Sequence, residues 1–215
     1  MEEIKKLKYS IILPAFIVFL LWIIKAFEYV NQVDYYQYGV FPRTISGLFG
    51  ILLSPLIHSD LNHLISNSIP LFILFTGIIY FYRSIAYRVI IFVWILSGIF
   101  VWIAARDSYH IGASGLIYGI ASFLFFSGVI RKDIRLAAVS LLVVFLYGGL
   151  VWGVFPIFPR ISWEYHLFGS ISGFFAAFIY RKKGPRAIEW SWESGEANEE
   201  EPEDEVFPDD FKNKI

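Results

Sequence analysis

The chain contains no cysteine among its 215 residues. That absence excludes disulfides, thiolate metal sites and a cysteine nucleophile together. Charge is also scarce, at 17% Asp, Glu, Lys and Arg against about 25% in soluble domains. Hydrophobic residues make 57% and mean hydropathy is +0.59, which excludes a soluble single domain and a chain disordered throughout. A His-Glu-x-x-His helix is missing, and no clustered carboxylates accompany the four histidines, so a metal-dependent membrane enzyme is disfavoured. Intramembrane carboxylates and symmetry between halves, the marks of a transporter, are not apparent either.

What the chain does have is six apolar stretches, at about 9–30, 62–82, 86–105, 114–130, 134–153 and 163–180. A bilayer core of about 30 Å takes roughly 20 such residues in helix. Backbone polar groups must be satisfied within lipid, and runs such as Ile11 to Ile24 are apolar on all sides rather than alternating, so these are helices, not strands. The expected fold is an all-α polytopic membrane protein of six transmembrane helices. The first stretch reads as a retained anchor, because its apolar run up to Ile24 is longer than a typical signal-peptide core and is followed by Lys25 and Glu28 without a small-residue cleavage site.

The few charges are unevenly placed. Alternate connections, the N-terminal segment and the stretch 181–186 after the last span carry 12 basic residues (Lys5, Lys6 and Lys8 among them), and the opposite side carries three, Arg43, Arg106 and Arg160. By the positive-inside rule both termini are expected in the cytoplasm, and an even number of spans agrees by requiring them to share a side. The net charge of −1 resolves into +7 over residues 1–183 and −8 over 184–215. The expected organisation is a six-helix domain, 1–183, and an acidic, disordered cytoplasmic tail, 184–215, for which the sequence names no partner.

Polar side chains inside spans are costly and mark candidate sites. They gather where spans two, four and six enter from the same side. Span two begins with His58, His63 and Asn67; span four with Gly112-Ala113-Ser114-Gly115 and then Tyr118; span six with His166. His63 and Asn67 are four apart and share a helix face, as do Ser114 and Tyr118. Gly115 with Gly119, and Gly169 with Gly173, form small-xxx-small patterns that let helix backbones approach in lipid. If spans four and six pack through these faces, Ser114 and His166 meet. A serine beside a histidine is the minimal nucleophile–base pair. His63, Asn67 and the Ser114 N–H could then hold a tetrahedral oxyanion.

In these residues the chain resembles the rhomboid intramembrane serine proteases. His58-(x4)-His63-(x3)-Asn67, Gly112-Ala113-Ser114-Gly115 and His166-(x2)-Gly169-(x3)-Gly173 match in order, over about residues 9–182. The resemblance implies a six-transmembrane rhomboid bundle and a Ser114–His166 dyad needing no acid, metal or cofactor. It also implies an oxyanion hole with His63 and Asn67, a Tyr118 ring stacked on His166, and a Gly112 that allows close backbone approach. The implied substrates are transmembrane proteins, cut near the outer membrane surface after entering laterally beside span five. The implied setting is the bilayer of the cell membrane, with no nucleic acid. The rival is an inactive rhomboid-like protein of the derlin type that binds membrane clients; such proteins typically lack the serine or the histidine, and both are present here. Many bacterial members carry Trp-Arg in the first outer loop, where this chain reads Phe49-Gly50, so that loop, about Asn31 to Pro55, is expected to pack differently. Glu164 is expected at the water interface, Asp60 and Asn62 as caps of span two, and the segment Phe155-Pro156-Ile157-Phe158-Pro159 as a movable cover of the site.

Overall fold

The structure, a computed structural model, describes residues 2–132, 153–157 and 161–184, with Arg135, Ala138 and Leu141 as isolated points. Among these residues it is helical: α1 (Glu2–Asn31), α2 (Ile45–Leu53), α3 (Leu61–Phe81), α4 (Ala86–Ala104), α5 (Ser114–Arg131) and α6 (Trp163–Ile179). Of these, α1, α3, α4 and α5 are long and apolar enough to cross a membrane. α6 has 17 residues and rises about 25 Å, short of a full hydrocarbon core. The fifth expected span, 134–153, lies outside the described residues apart from the isolated points and Gly153, and so does the tail beyond Gly184.

Burial sorts the helices into centre and rim. The apolar window of α5 is 67% buried and that of α1 only 17%, so α5 is the axis of the bundle. Its neighbour α6 docks on it backbone to backbone. A Cβ on Gly169 would lie 2.2 Å from the Gly115 carbonyl oxygen, and one on Gly173 would lie 2.0 Å from that of Gly119. The same sequence offset at both crossings makes the two helices parallel. Ser122 Oγ adds a 2.7 Å hydrogen bond to the Ser170 carbonyl. On the rim, Phe16, Phe19 and Ile23 of α1 and Ile91 and Ile103 of α4 are exposed, as suits side chains whose solvent is lipid. Polar contacts such as Trp22 Nε1 to Ser68 Oγ (3.1 Å) contribute about 0.6 kcal/mol each in bilayers, so close packing dominates.

The helix ends sort with equal clarity. At one end Lys6 lies over the Tyr80 ring, Tyr82 donates to Ser127, and Arg131 donates to the Tyr180 carbonyl. These contacts join the start of α1 to the ends of α3, α5 and α6, where most of the described basic residues lie. At the other end Lys25 donates to the His58 carbonyl, Arg43 to the Ala105 carbonyl, and Ser54 pairs with Tyr165. Ser114, His63 and His166 all stand at this second end.

The connection between α1 and α3 is more ordered than the sequence suggests. It contains α2, capped by Thr44, whose Oγ1 accepts from the Gly47 N–H at 3.1 Å. Nine residues cannot span a bilayer, so an apolar run this short registers only as loop. Gly47 and Gly50 press on the backbones of Phe41 and Gly39, and Trp94 and Trp102 of α4 donate to the carbonyls of Ile51 and Thr44. The α2 segment is thus fastened to α4, with Phe49 at the departure position exposed.

Candidate active site

Each polar group expected from the sequence is positioned by a local cause. Asp60 is the N-cap of α3: its side chain accepts from the His63 N–H at 2.9 Å. That N–H, with the Ser59 hydroxyl, holds the Asp60 carboxyl below the usual range. Asn62 has an exposed side chain and contributes to the cap through its backbone N–H, which also faces the Asp60 carboxyl. His63 sits in the first turn of α3, and Asn67 one turn further on is buried, with Nδ2 donating to the His63 carbonyl at 2.9 Å.

The approach to Ser114 is steered by two groups. Gly112 has φ of +107°, a conformation open to glycine, and its N–H donates to the Ser54 carbonyl at 2.8 Å. A Cβ there would stand 2.7 Å from His63 Nε2 and 3.9 Å from Asn67 Nδ2, so only bare backbone fits against that pair. Next in the chain, the Ala113 N–H points to His58 Nε2 at 3.5 Å. Burial, then the neighbouring His63, pushes His58 down to about 3, which leaves it neutral and able to accept. Ser114 then opens α5, placing its own N–H among the unsatisfied donors of a helix start.

Hydrogen bonding settles the ring tautomers. Backbone N–H of Ser59 points at His63 Nδ1 at 3.4 Å, so Nδ1 is the acceptor and the proton of neutral His63 lies on Nε2, facing Gly112. For His166 the order is reversed. Its Nδ1 faces the Gly153 carbonyl at 2.8 Å, and a carbonyl only accepts, so the proton is on Nδ1 and Nε2 is a free base. Tyr118 stacks on the His166 ring at 4.1 Å between centroids and 9° between planes. Since Ser114 lies one turn before Tyr118 on α5, the serine and the imidazole share one face of the α5–α6 pair. Ser114 Oγ and His166 form no hydrogen bond with each other; contacts of this kind commonly tighten only when substrate is bound.

One feature differs from the sequence reading, and one was not foreseen. Glu164 is buried, at 2% exposure, rather than at the water interface; Arg106 Nε stands 3.3 Å from its carboxylate. A charge is tolerated there because the guanidinium comes with it from the α4–α5 connection. The same connection is fixed by His110, which pairs with Val40 through both backbone groups and bonds Ser162 just before α6. Gly153 was not anticipated: nothing in the sequence ties a glycine 13 residues away to His166 Nδ1. A Cβ on it would lie 2.1 Å from Tyr118 Oη and 2.8 Å from His166 Nδ1. Of the expected cover, Phe155, Pro156 and Ile157 are exposed, and Phe158 and Pro159 lie outside the described residues.

A helical bundle with a polar cluster at one end of its central helix agrees with what comparison with other proteins finds. The Rhomboid domain model matches residues 46–183, and the chain belongs to the rhomboid family. An uncharacterized protein of Mycobacterium tuberculosis is 33% identical over 155 residues, 66% of this chain and 62% of that protein. One of Mycobacterium leprae is 32% identical over 170 residues, 74% of this chain and 67% of its own. A protein of Acanthamoeba polyphaga mimivirus named as a rhomboid protein is 28% identical over 148 residues, covering 65% and 80%. The chain therefore spans less than two thirds of the M. tuberculosis relative's length. It is an integral, multi-pass membrane protein.

Proposed function

We propose that this chain is an intramembrane serine endopeptidase that cleaves transmembrane proteins near the outer membrane surface. In this reading both termini are cytoplasmic and the cell membrane is its site. The observation that carries the proposal is the opposite tautomers of the two histidines. His166, with its proton on Nδ1 held by Gly153, offers a bare Nε2 as base. His63, with its proton on Nε2, offers a donor beside Gly112. One ring takes a proton and the other gives a hydrogen bond, as acyl transfer requires.

The steps follow from these roles. His166 Nε2 takes the Ser114 hydroxyl proton as Oγ bonds to the scissile carbonyl carbon. The charge that develops on the carbonyl oxygen is held by His63 Nε2–H, Asn67 Nδ2–H and the Ser114 N–H. Collapse breaks the C–N bond, and the imidazolium passes its proton to the leaving amine. Water, deprotonated by His166 in turn, hydrolyses the acyl-serine and regenerates the hydroxyl. No carboxylate takes part, since the position an orienting acid would occupy at Nδ1 is filled by the Gly153 carbonyl.

The test is cleavage of a membrane-spanning reporter by purified protein, together with labelling by a fluorophosphonate. Ser114→Ala is expected to abolish both while the protein still inserts, and His166→Ala to match it because the pair acts as a unit. Cleavage retained by Ser114→Ala overturns the mechanism. Wild-type protein that binds transmembrane clients without cutting or labelling favours the derlin-type reading instead.

A further inference from the structure

The two ends of the bundle handle charge in opposite ways. Among the described residues, every ion pair lies at the Ser114 end: Lys25–Glu28, Arg43–Asp107 and Arg106–Glu164. At the other end Lys5, Lys8, Arg83, Arg88, Lys132 and Lys182 are exposed, and none of them is paired with a carboxylate among the described residues. Glu3, a carboxylate at this end, is bonded by the Tyr80 hydroxyl. A crowd of like charges at a low-dielectric boundary demands a counter-anion.

The chain carries one. Eleven acidic residues lie between Glu189 and Asp210, against two lysines and one arginine in all of 184–215. The direction of the chain up to Gly184 is set by the structure. After α6 the chain does not run on along the helix axis. Gly184, at φ +119°, packs so closely on Tyr82 that a Cβ would lie 2.8 Å from the ring, and Arg131 of α5 donates to the Lys183 carbonyl. The exit is therefore turned across the ends of α3 and α5, among the cations. From Gly184 to the first acid is five residues, at most about 18 Å of chain.

We propose that the acidic segment 189–210 docks in cis on the basic end of the bundle, on the surface bounded by Lys5, Lys8, Arg83, Arg88, Lys132 and Lys182. Tethering places it there at an effective concentration of the order of millimolar, so individually weak exposed pairs add up to occupancy. Anionic lipid headgroups are attracted to the same cations, and the segment competes with them. The occupied state is screened by salt, because these groups are exposed.

The absence of cysteine makes the test direct. Full-length protein with Ser84→Cys and Asn198→Cys, spin-labelled at both positions in phosphatidylcholine nanodiscs, reports by pulsed EPR the distance from the α3–α4 connection to the acidic segment. A short-distance population is expected at low ionic strength and is lost at high salt. It is also lost when Glu199, Glu200, Glu201, Glu203 and Glu205 are all changed to Gln, which leaves the bundle untouched. Adding phosphatidylglycerol to the discs lowers it progressively. A distance distribution indifferent to salt, to the glutamine substitutions or to anionic lipid overturns the proposal.

Discussion

Two helix pairs in this bundle are built on opposite plans. α5 and α6 touch through Gly115, Gly119, Gly169 and Gly173, with carbonyl oxygens where side chains would be. α1 and α3 meet through side chains and leave between them a cavity of about 470 Å³, lined by Leu7, Ile73, Thr76 and Phe81 among others. The first pair carries Ser114, Tyr118 and His166; the second carries no such cluster at its cavity. Backbone contact fixes two helices to within a fraction of an ångström, because neither carbonyl can rotate away. Side-chain contact leaves room to repack. A site that must hold two groups in reacting geometry is better placed on the rigid pair.

The contrast is broken most severely at Gly169. Gly169→Ala sets a Cβ 2.2 Å from the Gly115 carbonyl oxygen, and the helices must part. We expect a stability loss at or beyond the upper end of the about 1–3 kcal/mol typical of overpacking, and no reporter cleavage. Melting in detergent and cleavage in proteoliposomes check both. Gly153→Ala is expected to spare the fold and cost about 10²-fold in cleavage by displacing the imidazole. Adding Tyr118→Phe, which removes the hydroxyl 2.1 Å from the new Cβ, should restore part of that loss. Tyr118→Phe alone keeps the stacked ring and nearly full activity. Tyr118→Leu gives up a stack of about 0.5–1.5 kcal/mol and should slow cleavage by up to about tenfold.

These positions also mark what could be read without coordinates. Ser114, His166, His63 and Asn67 were legible because intramembrane polar residues are costly, and because three span starts on one side must lie at similar depth. The glycine faces were legible because spacing of four is geometry. Gly153, Glu164 and α2 were not. Gly153 acts through its carbonyl oxygen, which every residue has. Glu164 is buried only because Arg106 reaches it from another connection, and a single chain pass does not pair residues 58 apart. α2 is too short for a span and too apolar for an ordinary loop, and its capping Thr44 resembles many loop threonines.

A milder disturbance tests the end of α3 where His63 is set. Asp60→Ala removes the cap and should cost about 1 kcal/mol near neutral pH. The carboxyl is held below its ordinary value in the fold, so its contribution is complete above the unfolded value and fades as pH falls through the folded one. The wild-type and Asp60→Ala melting curves should therefore converge in acid. A gap that persists there means the loss is steric and not the charged cap.

The smallest change sharpens the comparison from the tolerant side. Thr76 Oγ1, in the α1–α3 cavity, is buried and lacks a hydrogen-bond partner. A buried hydroxyl left unsatisfied carries its desolvation cost without return, and Thr76→Val deletes it at nearly constant shape. The variant should be neutral or up to about 1 kcal/mol more stable, with cleavage unchanged. Thermal unfolding and the reporter assay distinguish the outcomes. If Thr76→Val instead reduces cleavage as Tyr118→Leu does, the α1–α3 pair is coupled to the site and the division between a rigid pair and a tolerant pair fails.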